Sequence, residues 1–242
     1  EIQKLVVKLA GEGMTIMFEV EDLIAASPAT VSRCGMVFVS KTSVGWPAQL
    51  RRFLSFDLRP ALAEVSSVLD STLTRLLRGA LQLISAQKRL PLRLNAALLA
   101  QNCLRLLAIL LEDLETADER WASEAAWFSV LWGIGGLFPD PTRRDFAVWA
   151  LAARNGCGLP PITDEPFGLR LDLKDRIYAE WAASTPSPTR ATRLEELVVP
   201  TPDSLRSAFF FGRAMETGQH ALLTGPTGTG KSLQLSSQLA RF

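Results

Sequence analysis

The run Gly225-Pro-Thr-Gly-Thr-Gly-Lys-Ser232 fits the pattern G-x-x-x-x-G-K-[ST], whose residue types suit the holding of nucleoside triphosphate phosphates. Glycines let successive backbone N–H groups turn toward one centre, and a following helix adds partial positive charge at its N-terminus. Gly225, Pro226, Thr227, Gly228, Thr229 and Gly230 supply that backbone cradle. Lys231 is expected to reach the β- and γ-phosphates, and the Ser232 hydroxyl to ligate Mg²⁺. A nucleoside triphosphate with Mg²⁺ is therefore the expected ligand. The plain alternative is a Gly-rich turn ahead of a surface helix.

The chemistry requires a strand leading into the loop and a helix leaving it. Ala221-Leu-Leu223 is apolar and short enough for a buried strand, and residues 232–240 carry the outgoing helix pattern. Upstream, Leu197-Val-Val-Pro200 reads as extended, and Thr201-Pro202 as the cap of a helix running to about Glu216 with Gly218 at its end. Ten residues follow Ser232, too few for the acidic strand that completes such a site. The nucleotide site is expected to be only half represented.

Residues 46–154 read as a helical bundle. Leu58, Leu62, Val65, Leu69, Leu73, Leu76 and Leu77 repeat at spacings of three and four, with Pro60 tolerable in a first turn. After a break at Lys88-Arg-Leu-Pro91, Asn95 is placed to cap a second helix with Leu98, Leu99, Leu106, Leu107, Leu110 and Leu114 on its apolar face. A third helix carries Trp121, Phe128, Leu131 and Trp132 and ends at Gly135-Gly136. Asp140-Pro141 opens a fourth, with Phe146, Trp149 and Leu151. Tryptophans at helical spacing belong to a core rather than to a cofactor box. Beyond the bundle, Leu169-Arg-Leu-Asp-Leu173 alternates like a strand, with Asp172, Lys174, Asp175 and Arg176 on a solvated face. Residues 184–193 have linker composition.

Residues 1–40 are a separate α/β stretch. Thr15-Ile-Met-Phe-Glu-Val20 and Gly35-Met-Val-Phe-Val-Ser40 read as strands, and Ala29-Thr-Val-Ser-Arg-Cys34 as a short helix or turn ending near Arg33. Glu19, Glu21 and Asp22 read as solvated charges rather than as a catalytic base.

Over 242 residues, 48% hydrophobic and 21% charged content describe a globular chain with material for a sizeable core. A net charge of +1 gives no reason to expect nucleic acid or an anionic membrane as partner. The apolar runs 94–111 and 125–138 are interrupted or short, so they read as buried helices rather than membrane spans. Cys34, Cys103 and Cys157 are widely spaced and sit in apolar surroundings, which predicts buried free thiols in a reducing compartment. With His220 the single histidine, a metal cluster is not expected. No signal peptide or initiating Met opens the sequence, and both ends read as cuts through something longer.

The order of these pieces is similar to AAA+ ATPases, in which a large α/β subdomain precedes a small helical one. Ile16-Met-Phe-Glu-Val-Glu-Asp-Leu23 with Ala26-Ser-Pro-Ala-Thr-Val-Ser-Arg-Cys-Gly-Met-Val37 resembles dynein heavy chains at the end of the second module's large subdomain. Phe128-Ser-Val-Leu-Trp-Gly-Ile-Gly-Gly136 resembles that module's small subdomain. Val198-Val-Pro-Thr-Pro-Asp203 with the phosphate loop resembles the start of the third. The resemblance covers nearly the whole chain, most weakly at 160–193. Pro202 and Ser204 depart from the family pattern, which puts the cap of that helix in question.

The fold class expected is therefore α/β plus α, as partial AAA+ P-loop modules. Residues 1–44 form the end of a large subdomain, 45–183 a helical small subdomain, 184–196 a linker, and 197–242 the start of the next module. The resemblance implies a regulatory third-module ATP site, with Val198 and Val199 flanking the adenine. It also implies that Arg33 is an arginine finger, reaching the γ-phosphate held by the preceding module. From the residues alone, Arg33 serves equally as a surface ion pair that fixes the 27–33 turn.

The full chain is then expected to be an ATP-hydrolysing microtubule motor, although this segment alone would not hydrolyse ATP. Neighbouring modules of the same chain are the expected partners. Microtubules and dynein intermediate and light chains would be reached through other parts of it. The form of the 26–33 motif leans toward the axonemal type, implying a cytoskeletal, ciliary or flagellar setting. The alternatives are a non-catalytic ATP-binding scaffold and another AAA+ P-loop protein.

Overall fold

The computed structural model describes residues 17–20, 22–39, 45–86, 95–181 and 200–240. Contacts divide the chain into two compact units, Glu1–Ser40 and Lys41–Phe242. Among the described residues the secondary structure is mostly helical, with one two-stranded sheet.

Among its described residues the first unit holds one helix turn, α1 (Pro28–Val31). Pro28 has its φ preset for a first turn, and the Ser27 hydroxyl accepts from the Thr30 N–H at 3.2 Å. The described parts of the two expected strands, 17–20 and 35–39, are not strands. Met17, Phe18, Val37 and Phe38 are at least 79% exposed. An extended segment becomes a strand only by pairing, and no described segment lies alongside to pair with either. Residues 15, 16 and 40, and Glu21, lie outside the described residues; Glu19 and Asp22 are exposed, as expected of solvated charges.

The second unit is built around α5 (Glu119–Ile134), whose residues from Ala122 to Ile134 are all buried. A helix buried around its whole circumference belongs at the centre of a bundle. Its neighbours are α3 (Ser66–Ala86), α4 (Ala96–Leu111) and α6 (Asp140–Gly156). The first amphipathic stretch is not one helix. Ahead of α3 come α2 (Trp46–Arg52), a π-helical turn at Phe53–Asp57 and a 3₁₀ turn at Pro60–Val65. Pro60 opens that 3₁₀ turn, since it lacks the N–H that a continuous helix would need. The expected face is intact nonetheless, with Leu62, Val65, Leu69, Leu73, Leu76 and Leu77 at most 1% exposed.

Asn95 caps α4 as expected, its side chain accepting from the Leu98 N–H at 2.8 Å. Leu99, Leu107, Leu110 and Leu114 are buried, but Leu98 is not, being in the first turn on the far side of the stripe. Asp118 caps α5, and Asp140 lies inside the first turn of α6 with Pro139 as the cap. The break at 88–91 lies outside the described residues.

Small residues let α4 approach α5 closely. A Cβ at Gly133 would lie 2.9 Å from the Cys103 Cα and Sγ, and the backbone atom cannot rotate away. Gly133→Ala is therefore expected to destabilise the bundle by about 1–3 kcal/mol. Gly156→Ala, at a helical site with nothing within 4 Å, should be neutral or slightly stabilising. Urea unfolding of both variants checks this, and equal midpoints would refute the close-approach argument.

The expected strand near residue 170 is β1 (Leu169–Asp172), buried on alternate residues. It pairs antiparallel with β2 (Ile177–Glu180), Leu169 opposite Glu180 and Asp172 opposite Ile177. Arg176 turns the hairpin with φ 56° and pairs with Asp118 at 3.2 Å.

Candidate functional site

Two helices flank the phosphate loop. Upstream is α7 (Pro202–Glu216), which begins with a reciprocal cap. The Ser204 N–H donates to the Thr201 hydroxyl at 3.2 Å, and the Thr201 N–H donates to the Ser204 hydroxyl at 2.8 Å. Ser204, a departure from the family pattern, therefore completes the cap rather than weakening it. Gly218 ends the helix at φ 67°, and the Gln219 N–H returns to the Ala214 carbonyl at 2.7 Å.

Apolar and ionic contacts fix α7 on the bundle. The Phe210 ring centroid lies 5.2 Å from that of Trp132, and the Phe209 centroid 5.4 Å from that of Trp181. At the other side Arg213 pairs with Asp113 at 2.9 Å and donates to the Ile109 carbonyl at the end of α4. Burial raises the Asp113 pKa despite the Arg213 guanidinium. The tandem phenylalanines were a legible apolar signal, but nothing in the sequence paired them with Trp132 and Trp181.

Downstream is α8 (Lys231–Leu239), docked on α7 where Gln238 packs against Gly212. Gly230 caps it in the left-handed region at φ 76°, and Gly228 takes φ 83°. Both values are costly for residues bearing a Cβ and natural for glycine. The Lys231 ammonium arches back over the loop. Its Nζ donates to the Gly225 carbonyl at 2.9 Å, the Pro226 carbonyl at 2.5 Å and the Thr229 Oγ1 at 3.3 Å. Ser232 lies in the first turn of α8, exposed like residues 224–230. The first N–H groups of α8 have no intrahelical acceptor, so they are available to an anion. Lys231, the loop backbone and the Ser232 hydroxyl thus fit a triphosphate and its Mg²⁺. No cluster of three His, Cys, Asp or Glu side chains that could hold a metal occurs among the described residues.

The leading strand is not formed: residues 221–223 belong to no strand, and Leu222 is 86% exposed. A parallel strand is stabilised only between neighbours, and none is present among the described residues. Val198, Val199 and the linker 184–196 lie outside the described residues. Arg33 belongs to the first unit. It is exposed at the end of α1, where its Nη1 donates to the Ala29 carbonyl at 2.9 Å. The expected thiols are all free, Cys103 buried and Cys157 half-buried, but Cys34 is exposed because the turn that carries it has no core beside it.

The comparisons with known proteins agree with this geometry. Residues 69–183 match the dynein heavy chain AAA lid domain, and residues 186–242 match the P-loop containing dynein motor region. This chain belongs to the dynein heavy chain family. Dynein axonemal heavy chain 3 of Mus musculus is 25% identical over 90% of this chain. Dynein axonemal heavy chain 1 of Mus musculus is 27% identical over 98%. Dynein-1-alpha heavy chain, flagellar inner arm I1 complex, of Chlamydomonas reinhardtii is 24% identical over 94%. The chain spans about 6% of the length of the mouse dyneins it matches. Within this dynein segment, the lid match covers the buried helices α4–α6 and the motor-region match covers the phosphate loop.

The largest feature not read in the sequence lies inside the lid. Glu124 on α5 and Arg154 on α6, each 1% exposed, form a two-pronged ion pair with Nη1–Oε2 at 2.6 Å and Nη2–Oε1 at 2.8 Å. Arg154 Nε donates to the Pro160 carbonyl at 2.7 Å, and the Tyr178 hydroxyl on β2 donates to Glu124 at 2.8 Å. The guanidinium also stacks over Trp127, 4.7 Å from the ring centroid. Burial first, and then the Glu124 carboxylate, hold the Tyr178 pKa well above the usual phenol range. The group is enclosed and paired, and it ties α5, α6 and β2 together.

Proposed function

We propose that this chain is part of a dynein heavy chain motor ring that binds and hydrolyses ATP to drive movement along microtubules. The single observation that carries the reading is the loop 225–232, with glycine at its left-handed positions and Lys231 arched over its mouth. In this reading residues 1–44 close one AAA+ large subdomain, 45–183 are its lid, 184–196 link, and 197–242 open the next module. ATP and Mg²⁺ occupy the loop, with Ser232 on the metal and Val198 and Val199 against the adenine. The partners are the neighbouring modules, and microtubules and intermediate and light chains are reached through other parts of the heavy chain. The names of the similar proteins support an axonemal, ciliary or flagellar setting.

Exchanging Lys231 for Ala tests the loop. The ammonium is the one side-chain cation of the loop, and a charge-assisted hydrogen bond to phosphate contributes about 1.5–3 kcal/mol. In the full heavy chain, ATP affinity at this module should fall about 10- to 100-fold by equilibrium binding. Equal affinity in wild type and variant would remove the assignment. A vestigial loop on a scaffold would give weak binding in both.

A further inference from the structure

A cavity of about 490 Å³ lies between the lid and α7, walled by Trp132 and Phe210 and bordered by Arg105, Arg143 and Arg206. None of the phosphate-loop residues 225–232 lines it. Three of its lining residues carry a buried nitrogen with no acceptor among the described residues: Trp132 Nε1, Arg143 Nε and Arg206 Nε. Trp132 is 9% exposed, so its orphaned N–H is shut off from bulk water. A buried donor without a partner costs about 1–3 kcal/mol, more when charged, and three around one cavity call for an acceptor.

The two guanidinium groups are only partly matched by acids. Arg206 Nη1 meets Asp203 at 2.9 Å and Arg143 Nη1 meets Asp140 at 3.4 Å, both carboxylates being largely exposed. These pairs engage Nη1 and leave Nε free on each side chain. Burial and the nearby positive charge of Arg143 push the Arg206 pKa down, so a further negative charge would be welcome there. Arg206 also stacks over Trp132, 5.0 Å from the ring centroid. Against Arg105, Arg143 and Arg206, the lining sets one carboxylate, Asp203.

We propose that this cavity binds a phosphorylated small molecule. Its phosphate oxygens would accept from Arg143, Arg206 and Trp132, and its remainder would lie against Phe210. A phosphate group offers several acceptors to the donor-bearing residues that α5, α6 and α7 bring to the wall of one cavity, and guanidinium groups match it with paired N–H donors. The volume is within the range of small-ligand sites and exceeds what a bare ion needs. Because α7 leads directly to the phosphate loop, an occupant here would brace the lid against the module that carries that loop.

Arginine modification in the full heavy chain tests this, with phenylglyoxal as reagent, pyrophosphate as probe, and peptide mass spectrometry of Arg206 as readout. Lys231→Ala should serve as background, so that binding at the phosphate loop does not contribute. Pyrophosphate is expected to slow Arg206 modification about tenfold relative to chloride at equal ionic strength. Arg143→Gln should abolish most of that protection, and Trp132→Phe should weaken it while keeping the ring. Three results would overturn the proposal: protection no greater than with chloride, protection that vanishes with Lys231→Ala, or protection indifferent to both cavity variants. An Arg206 that resists modification with no anion added would also overturn it, by showing an acidic side chain of the heavy chain already in place.

Discussion

Arg154→Met is expected to destabilise the lid by about 3–5 kcal/mol, because it strands the Glu124 carboxylate without its partner at 1% exposure. Three separate elements converge on this guanidinium: α5 through Glu124, β2 through Tyr178, and the chain after α6 through the Pro160 carbonyl. Removing the charge also removes the stack over Trp127, so packing and pairing are lost together. A Glu124→Leu/Arg154→Met double variant should recover much of the loss, since an apolar pair of similar volume leaves no buried charge. Urea unfolding of the two variants decides it. A single-variant loss below about 1 kcal/mol would refute the account.

Tyr178 adds a pH signature. Its folded pKa is raised, so its contribution is present below the unfolded value of about 10 and is lost as pH rises through the higher folded value. Tyr178→Phe should flatten that alkaline loss.

How far the sequence anticipated this depends on the range of each signal. The Asn95 and Thr201 caps, Gly218 and the alternation at 169–172 are local, and each appears as expected. The 17–20, 35–39 and 221–223 runs have strand composition but no strand partner among the described residues; β propensity describes a fit to neighbours rather than an intrinsic backbone state. Glu124 and Arg154 stand 30 positions apart on two helices, each plausible as a surface charge, and only the packing of α5 against α6 brings them together. The same holds for Phe210 meeting Trp132 across the expected linker. Local chemistry was legible, and long-range partnership was not.

The turn of α1 combines both kinds of information, and Arg33→Ala is the variant with the largest expected effect on activity. The sequence left two readings of this residue, an arginine finger and an ion pair fixing the turn. The turn has its own restraints: Pro28 in the first position, the Ser27 hydroxyl on the Thr30 N–H, and the Ser27 Oγ within 2.9 Å of the Thr30 Oγ1. Arg33 adds one exposed hydrogen bond to the Ala29 carbonyl and no ion pair among the described residues. Its removal should therefore cost the fold little, about 1 kcal/mol or less. A finger, in contrast, neutralises charge that develops on the transferred phosphoryl group, and its removal from other nucleotidases lowers turnover about 10³- to 10⁵-fold. In the full heavy chain, Arg33→Ala should lower microtubule-stimulated ATP turnover severely while leaving ATP binding and thermal unfolding nearly unchanged. Arg33→Lys should restore only part of the rate, because an ammonium keeps the charge but lacks the planar fork. Unchanged turnover in Arg33→Ala would eliminate the finger and leave the residue a brace for its own turn.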